Sequence, residues 1–525
     1  MNQESKKLQE QLWAAAEQMR ANSRLNLNEI SAPVLGLIFL KFADVRFQKA
    51  KEKLEKERIS SQSTRQRPIS PEDYKARGVL YVPEKATFSY LISLPENENI
   101  GKAINEAMKA IEEENRDLAG ILPQNYTNLS QTAGENNRIL ISLLKNFNQI
   151  PDDIEGDTFG EIYEYFLGNF ALSEGKNGGE FFTAQSIVKL LVEVIEPYHG
   201  RIFDPASGSG GMFVQSAKFV EKHVKNKSQV MEEVAICGQE SKDATIKIAK
   251  MNLAIHGLSG KILPANSYYE DVHNSIGKFD FVLANPPFNV AGVDKNGQVI
   301  IDPARLHGDP RYYLGLPVTQ KGNITNANYL WMQIFANALN SKGRAGFVMA
   351  NSATDAGHAE KEIRKKLIEQ GLVDVIITTP PNMFLNVTLS ATLWFFDKGK
   401  KGTDRENKIL FIDAQDIFTP VDRAHNRWTD EQIQEVAGIV RRYRGENGYE
   451  KYEDIKGRCK VETLDEIRRE NNYSLNPGRY VEIVEKEIDD VEFKARMKDF
   501  STEFKTLTQE ARELEKKIEE DWSKF

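Results

Sequence analysis

Phe203-Asp204-Pro205-Ala206-Ser207-Gly208-Ser209-Gly210-Gly211 connects a short apolar run to the start of an amphipathic stretch. Glycines between a strand and a helix let the backbone turn tightly and approach a ligand near the helix N-terminus. Around this turn, short β-branched runs alternate with helical stretches from about residue 155 to about residue 415. The alternation predicts an α/β fold with a doubly wound, mostly parallel sheet, which binds ligands at the carboxyl ends of its strands.

The apolar patterns give approximate positions for these elements. The predicted strands cover residues 201–203, 234–236, 279–283, 345–349, 373–378, 392–396 and 409–412. The predicted helices between them cover residues 213–224, 242–256, 328–340 and 359–369.

Helical regions flank the predicted sheet on both sides. Leu8, Leu12 and Ala16 recur at helical spacing, and similar patterns follow, so we expect an N-terminal helical domain over residues 1–150. The α/β domain is expected over residues 151–420.

The last part of the chain, residues 421–525, is predicted to be a helical region. From residue 493 to residue 518, apolar residues are spaced alternately by four and three positions. A seam of this length is typical of a coiled coil. We therefore predict a coiled-coil tail over about residues 485–520, which pairs with another chain or with another part of this one.

The composition limits the class of protein. The chain has 525 residues, a formal net charge of -8 and 28% charged residues. Its longest apolar run, residues 34–40, is far shorter than the ~20 residues that a membrane-spanning helix needs. The N-terminus lacks the basic-then-apolar form of a signal peptide, so we expect a cytoplasmic protein without a membrane segment. Two distant cysteines and scattered histidines predict no metal site.

The glycine loop favours one class of ligand over another. Its spacing differs from the G-x-G-x-x-G of dinucleotide-binding folds. Asp204 would repel a phosphate but favour a cationic amino or sulfonium group. Glu240 ends the next predicted strand, where an acid can accept hydrogen bonds from a ribose diol. The pattern favours S-adenosylmethionine over a nicotinamide cofactor.

Asn285-Pro286-Pro287-Phe288 follows another apolar strand and carries the predicted chemistry. The prolines lack backbone N–H donors, which leaves the Asn285 side-chain oxygen and the Pro286 carbonyl as rigid acceptors. Two such acceptors can hold both hydrogens of an exocyclic NH2 and orient its nitrogen toward a methyl donor without a general base. The ring of Phe288 can stack on a base that has left the duplex.

Four blocks of sequence resemble the modification (methyltransferase) subunit of type I restriction–modification systems, in the wider N6-adenine DNA methyltransferase family. They are Gly179-Glu180-Phe181-Phe182-Thr183, the loop over residues 204–211, Asn285-Pro286-Pro287-Phe288 and Asn476-Pro477-Gly478-Arg479-Tyr480. The resemblance implies the fold of S-adenosylmethionine-dependent methyltransferases. It also implies that the first block closes over the methionine end of the cofactor.

The residues and the resemblance together predict the site. The predicted catalytic residues are Asn285, Pro286, Pro287 and Phe288. The predicted cofactor-binding residues are Glu180, Phe181, Phe182, Thr183, Ala184, Gln185, Asp204, Gly208, Ser209, Gly210, Gly211, Glu240 and Asn266. Two of these depart from the family pattern, because Ala184 stands where the family usually has proline, and Asn266 where many relatives have an acid.

The resemblance also implies a reaction and partners. The reaction is transfer of a methyl group to N6 of a flipped-out adenine in DNA, at a site that a separate specificity subunit recognises. That subunit would dock on the C-terminal helices, and a second copy of this chain and an ATP-dependent restriction subunit would join the complex. The acidic balance agrees with this, because DNA binding needs clustered positive charge that a partner can supply. Residues 289–328 form a long segment that we expect to touch the flipped base or the DNA strand.

Three other functions fit parts of the pattern. A protein methyltransferase that acts on a glutamine amide uses a similar Asn-Pro-Pro-aromatic motif, but such enzymes are usually shorter and have tyrosine as the aromatic residue. A non-catalytic scaffold would not need an intact motif and glycine loop. A nicotinamide oxidoreductase would be expected to have the G-x-G-x-x-G spacing.

Overall fold

The computed structural model describes residues 3–22, 27–60, 68–95, 97–132, 137–151, 157–173, 182–223, 234–384, 388–482 and 490–522. The chain divides into two compact units, Met1–Val481 and Glu482–Phe525. None of the helices in the described ranges combines the length and the apolar character that crossing a membrane requires.

One mixed sheet lies at the centre of the first unit. The strands of this unit are β1 Gly200–Asp204, β2 Val234–Glu240, β3 Gly260–Pro264, β4 Phe279–Ala284, β5 Leu339–Ala350, β6 Val373–Thr378, β7 Ala391–Asp397, β8 Lys408–Asp413, β9 Thr419–Pro420, β10 Asn426–Arg427 and β11 Cys459–Thr463. Within the described ranges, nine of them form the sheet in the order β11-β8-β6-β7-β5-β4-β1-β2-β3, and β9 and β10 pair separately.

Most neighbours in the sheet are parallel. β1 is parallel to β2 and β4, β2 to β3, β4 to β5, and β6 to β8. β7 runs antiparallel between β5 and β6, and β11 is antiparallel to β8. Every residue of β6 and of β7 is buried, as expected where helices cover both faces of a sheet. The predicted α/β fold with a mostly parallel sheet is confirmed.

The helices fall into groups before, within and after the sheet. The helices before it are α1 Gln3–Asn22, α2 Leu27–Ser60, α3 Pro71–Lys75, α4 Phe88–Ser93, α5 Ile100–Glu114, α6 Tyr126–Thr132, α7 Arg138–Phe147 and α8 Thr158–Ser173. α9 Gln185–Ile195 comes directly before β1. The helices among the strands are α10 Gly211–His223, α11 Asp243–Ile255, α12 Asn328–Ala338, α13 His358–Glu369 and α14 Asp430–Arg444, and α15 Leu464–Arg469 follows β11. The second unit contains α16 Asp490–Trp522.

The N-terminal helices share one apolar core with the α/β part. Val34, Leu35 and Ile38 of α2 are fully buried, and the same core takes in Met251 and Ile255 of α11. Packing is therefore continuous between the helical region and the sheet, so the two belong to one compact unit. The domain boundary predicted near residue 150 falls beside residues 152–156, which lie outside the described residues.

The first unit continues well beyond residue 420, where the helical region was predicted to begin. β11 joins the edge of the sheet, and the ring of Tyr480 stacks on Phe411 of β8 with 3.9 Å between centroids. The Tyr480 hydroxyl donates to the Ser474 carbonyl at 2.6 Å. These contacts hold the chain against the sheet as far as the end of the first unit.

The second unit is dominated by one long amphipathic helix. The apolar side chains at the predicted seam positions Met497, Phe500, Phe504, Leu507, Leu514 and Ile518 are each more than half exposed. The predicted helix is present over residues 490–522. The pairing of this seam with another helix stays a prediction.

Candidate active site

Three connected hollows form one cleft at the carboxyl edge of the sheet. The first has a volume of about 150 Å³ and is lined by Glu240, Asn266 and Asn285, among others. The second shares Asn285 with the first and adds Thr183 and the glycine loop. The third shares Thr183 with the second and ends at Gln185. The cleft arises because β3, β2, β1 and β4 are adjacent and parallel, so that their carboxyl ends meet.

The glycine loop makes its tight turn with left-handed backbone at two positions. Gly208 has φ +50° and Gly210 has φ +79°, conformations that favour glycine. The Gly210 amide donates to the Ser207 carbonyl at 2.8 Å, which closes the turn before α10. A Cβ added at Gly211 would point into open space. The loop therefore leaves room for a ligand close to the start of the helix.

Asp204 ends β1 beneath this loop and is almost completely buried. Its Oδ1 accepts a hydrogen bond from the Ala206 amide at 2.9 Å. Burial raises the pKa of the Asp204 carboxyl to about 8, and the nearby carboxylate of Glu240 adds to the rise. An acid in this state gains from a cationic group placed beside it, because the cation favours the ionised form.

Glu240 is held by backbone amides at the end of β2. Its Oε2 accepts from the Gly208 amide at 3.2 Å, and its Oε1 accepts from the Ser241 and Lys242 amides at 2.7 and 3.0 Å. The side chain thus bridges the glycine loop and the next turn while lining the cleft. Each carboxylate oxygen can accept further bonds, so a diol can still be bound.

Asn266 lies at the same end of the cleft, but part of its side chain is already used. Its Oδ1 accepts from the Tyr268 amide at 3.1 Å, which stabilises the turn that follows β3. Glu270 supplies an acid to this turn, because its Oε2 accepts from the Asn266 amide at 2.9 Å.

The segment predicted to close over the methionine end is described in part. Glu180 and Phe181 lie outside the described residues. Phe182, Thr183 and Gln185 line the third hollow, and Ala184 precedes α9 with φ −55°. A proline would fix nearly the same φ, so the backbone at Ala184 has a conformation that a proline could also adopt.

Asn285 follows β4 and touches both of the first two hollows. Its Nδ2 donates to the Thr183 hydroxyl at 2.9 Å, which fixes the orientation of the amide. Its Oδ1 is shielded from solvent and, among the described residues, receives no hydrogen bond. A buried acceptor without a donor is costly, so its presence here points to a ligand that supplies the donor.

The remaining residues of the motif surround this amide. Pro286 is buried and Pro287 lines the first hollow. The ring of Phe288 meets that of Phe384 edge to face, with 6.2 Å between centroids. Phe384 was not predicted as a site residue, although an aromatic residue soon after the end of β6 could have suggested it.

Glu164 of α8 is a cleft residue that the sequence did not reveal. It is buried, accepts a hydrogen bond from the Gln185 side chain and lies 3.4 Å from the Lys218 ammonium. It lines the third hollow together with Gln185. An acid inside an otherwise apolar helical face was the available signal. The helix that precedes the sheet segment thus contributes directly to the cleft.

The cleft fits a nucleoside joined to an amino acid. Its first hollow offers an acid and a turn suited to an adenosine, and its third offers Gln185, Glu164 and the start of α10. The side chains of Ser207, Gln239 and Asn252 also keep a buried atom without a hydrogen bond among the described residues. Ser207 and Asn252 line hollows of the cleft, and Gln239 is the next-to-last residue of β2.

Fold and cleft together define an S-adenosylmethionine-dependent methyltransferase that acts on an amino group. The model of the family "N-6 DNA Methylase" matches residues 154–489, and the model of the "HsdM N-terminal domain" matches residues 8–147. The chain therefore belongs to the N-6 DNA methylase family and, within it, to the methylase subunits of type I restriction enzymes. This confirms the predicted family, S-adenosylmethionine as cofactor and adenine-specific DNA methylation as the reaction.

Two curated relatives support this assignment. The type I restriction enzyme MjaIX methylase subunit of Methanocaldococcus jannaschii is 37% identical over 97% of this chain and 90% of its own length. The HindI methylase subunit of Haemophilus influenzae is 36% identical over 80% of this chain and 92% of its own length.

A solved structure shows the same fold. The methyltransferase subunit of a type I restriction–modification system from Streptococcus thermophilus superposes with a TM-score of 0.72 at 23% identity, covering 91% of this chain and all of that one. A chain from a structure on assembly and conformational transition of the type I system gives 0.59 at 19% identity, covering 98% of this chain and 99% of that one.

Proposed function

We propose that Asn285 and Pro286 hold the N6 amino group of adenine for methylation. The observation that carries this proposal is the buried Oδ1 of Asn285, which lacks a donor while Thr183 fixes its amide. The Asn285 Oδ1 accepts one amino hydrogen and the Pro286 carbonyl accepts the other. Both acceptors favour charge on the nitrogen and orient its lone pair, which is electrostatic preorganisation without a general base.

The cofactor-binding residues divide between the two ends of the cleft. Glu240 and the turn at Asn266 hold the adenosine, with Glu240 accepting from the ribose diol. Asp204, Gln185 and the glycine loop hold the amino-acid end, where the Asp204 carboxylate neutralises positive charge. When bound, S-adenosylmethionine supplies a methyl group made electrophilic by its sulfonium.

Phe288 contacts the target base, and Phe384 supports the Phe288 ring. The face of the Phe288 ring stacks on an adenine that has left the duplex, while the edge-to-face contact with Phe384 holds this ring in place. Stacking excludes water from the amino group and strengthens the hydrogen bonds to Asn285 and Pro286.

The chain works in the cytoplasm as the modification subunit of a complex that reads DNA elsewhere. A net charge of -8 gives it little non-specific attraction for phosphates, so a partner supplies DNA affinity and sequence recognition. We assign this role to a specificity subunit bound through α16, with a second copy of this chain and an ATP-dependent restriction subunit in the full assembly.

The test is transfer of a tritiated methyl group to DNA by the purified complex. Asn285→Ala should lower kcat by about a hundredfold to a thousandfold, since it removes an acceptor used in the transition state. Asn340→Ala is the matched control. Asn340 of β5 donates to Asp280 near the start of β4, whereas Asn285 follows the end of β4. The control variant should leave kcat unchanged.

Three results would contradict the proposal. Equal kcat for the wild type and Asn285→Ala would remove the assigned role of the amide. Label on protein instead of DNA would favour a glutamine-amide methyltransferase. Full methylation of DNA by the chain alone would refute the need for a partner.

A further inference from the structure

Residues 289–328, which follow the catalytic motif, fold into a compact segment whose first and last residues are hydrogen-bonded to each other. The Asn289 amide donates to the Asn328 Oδ1 at 2.9 Å, and the Asn328 Nδ2 donates back to the Asn289 Oδ1 at 2.8 Å. Ile301, Leu306 and Leu314 from its interior are buried in the core on one face of the sheet. The segment is therefore an ordered part of the fold, and its side chains can hold neighbouring residues in place.

Arg311 projects from this segment into the turn that follows β3. Its side chain is only 4% exposed. Its Nη1 donates to the carbonyls of Ser267 and Glu270 at 2.8 and 3.1 Å, and its Nη2 donates to that of Tyr268 at 3.2 Å. Asp309 accepts from the Nε and Nη2 of the same guanidinium and neutralises it. One buried guanidinium thus donates to three carbonyls of the same turn, those of Ser267, Tyr268 and Glu270.

Two further side chains hold Tyr268, the central residue of this turn. The Tyr312 hydroxyl donates to the Tyr268 carbonyl at 2.6 Å. The Trp331 indole donates to the Tyr268 hydroxyl at 3.0 Å, and the two rings lie 4.9 Å apart. Tyr268 and Trp331 both line the first hollow of the cleft, whereas Arg311 and Tyr312 stand behind them.

We propose that Arg311 is a positioning residue for the adenosine end of the cofactor. It acts by holding the turn over residues 266–270 in the shape that makes Tyr268 a wall of the first hollow. Without the guanidinium, the buried Ser267 carbonyl loses its donor, and the Tyr268 and Glu270 carbonyls each keep only one, from Tyr312 and Gln239. The turn then relaxes, which widens this hollow. The methionine end and Asn285 belong to other elements and keep their geometry. This inference rests on the proposed function, since it assigns the first hollow to the adenosine.

The chain offers a matched residue with a purely structural set of contacts. Arg364 is as buried as Arg311 and donates to the Tyr473 carbonyl at 2.8 Å and the Ala356 carbonyl at 2.7 Å. Neither partner lines the three hollows. Arg311→Met and Arg364→Met therefore remove the same group from equally buried positions, but only Arg311 contacts the turn that lines the cleft.

The experiment measures the Kd for S-adenosylmethionine of the full chain by calorimetry, and kcat and KM of the complex. Arg311→Met should raise Kd and the cofactor KM by about tenfold, with kcat at saturating cofactor within about twofold of the wild type. Arg311→Lys keeps the charge and should restore part of the affinity. Tyr312→Phe removes a single hydrogen bond and tests the idea even if Arg311→Met folds poorly. It should raise Kd about threefold.

The control separates positioning from general stability. Arg364→Met should lower the thermal midpoint about as much as Arg311→Met and leave Kd unchanged. The inference is overturned if folded Arg311→Met and Tyr312→Phe bind with wild-type Kd, or if Arg364→Met raises Kd equally. A wild-type chain that binds no S-adenosylmethionine would instead refute the proposed function.

Discussion

Asn285 carries two hydrogen-bonding groups of opposite character on one amide, and the protein uses only one of them. Thr183 accepts from the Nδ2 group, while the Oδ1 atom receives no hydrogen bond from the described residues and is, in the proposed mechanism, the acceptor for the substrate. A primary amide can rotate by half a turn with little change in shape. Under the proposed mechanism, the orientation in which Nδ2 donates to the Thr183 hydroxyl is the one that presents Oδ1 to the adenine.

Thr183→Val tests this division of labour. The methyl group that replaces the hydroxyl cannot accept a hydrogen bond, so the amide loses its preferred orientation. We expect kcat to fall by about tenfold to a hundredfold, measured by methyl transfer at saturating S-adenosylmethionine. Thr183→Ser keeps the acceptor and should stay near the wild-type rate. A normal kcat combined with a raised cofactor KM in Thr183→Val would mean that the hydroxyl serves the cofactor alone.

Asp204 gives a prediction about stability and pH. Its pKa is about 8 in the folded chain against a usual value of 3.8, because burial disfavours the charge. Because the pKa of Asp204 is higher in the folded chain than in the unfolded chain, the contribution of the protonated Asp204 carboxyl to the free energy of unfolding is complete below about pH 4. This contribution is lost as the pH rises toward 8. The amide of Asp204→Asn does not ionise, so this variant does not lose free energy of unfolding as the pH rises. The variant should therefore exceed the wild type in free energy of unfolding by a few kcal/mol near pH 8.

Urea unfolding of the cofactor-free chain from pH 5 to pH 8 measures this difference. The gap between Asp204→Asn and the wild type should widen with increasing pH. A gap that is constant with pH would show that Asp204 is ionised in the folded chain throughout. The same variant should bind S-adenosylmethionine more weakly, because the neutral amide cannot compensate a positive charge.

At the scale of elements, apolar patterns predicted the central strands but not the edges of the sheet. β6 and β7 are buried throughout, which gives a continuous apolar run. β3 was missed because Lys261 and Pro264 interrupt a short strand at the sheet edge, where only Ile262 is fully buried. The helix predicted over 328–340 ends at Ala338, since Leu339 already pairs with β4. The sequence gives no direct signal for such long-range pairing.

Some residues of the candidate site could likewise be predicted from the sequence and others could not. Asn285, Asp204, Glu240 and the glycine loop could be predicted because each has a fixed place at a strand end. Glu164 and Arg311 could not, because their roles depend on which carbonyls and side chains the fold brings beside them. A buried charge is recognisable from its neighbours in space, and these are distant in sequence.

The seam of α16 makes a prediction that concerns one element. Phe504→Glu combined with Leu507→Glu places two charges in the middle of the apolar stripe. Partner binding should weaken by at least about a hundredfold, because the charges would be buried in the paired state. Thr502→Glu lies on the opposite side of the helix and is the control. Co-purification of the specificity subunit measures the effect, and assembly of the double variant would refute the coiled-coil pairing.

The whole molecule consists of two compact units: Met1–Val481, which contains the cleft, and Glu482–Phe525, which contains α16. The first unit has its own core, which joins the N-terminal helices to the sheet through α11, and it contains every described residue of the cleft. Its boundary at Val481 follows directly after the contacts that Tyr480 makes with the sheet.

A chain truncated after Val481 should therefore fold and bind cofactor as the full chain does. We expect its thermal midpoint within about 2 °C of the full chain, since no core residue is lost. Its Kd for S-adenosylmethionine should be unchanged, whereas the partner should no longer co-purify. A large drop in the midpoint or in cofactor affinity would show that the last 44 residues support the catalytic fold.

The exposed stripe of α16 has a consequence for how the subunit must be produced. A chain made in excess of its partner keeps Phe500, Phe504 and Trp522 in contact with water, each more than 60% exposed. Surplus copies are then expected to pair with one another or to be degraded, because such surfaces associate at high concentration. Balanced synthesis of the two subunits thus follows from the surface of one helix. Sedimentation of the free chain over a range of concentrations would reveal this self-association, and a monomer at every concentration would refute it.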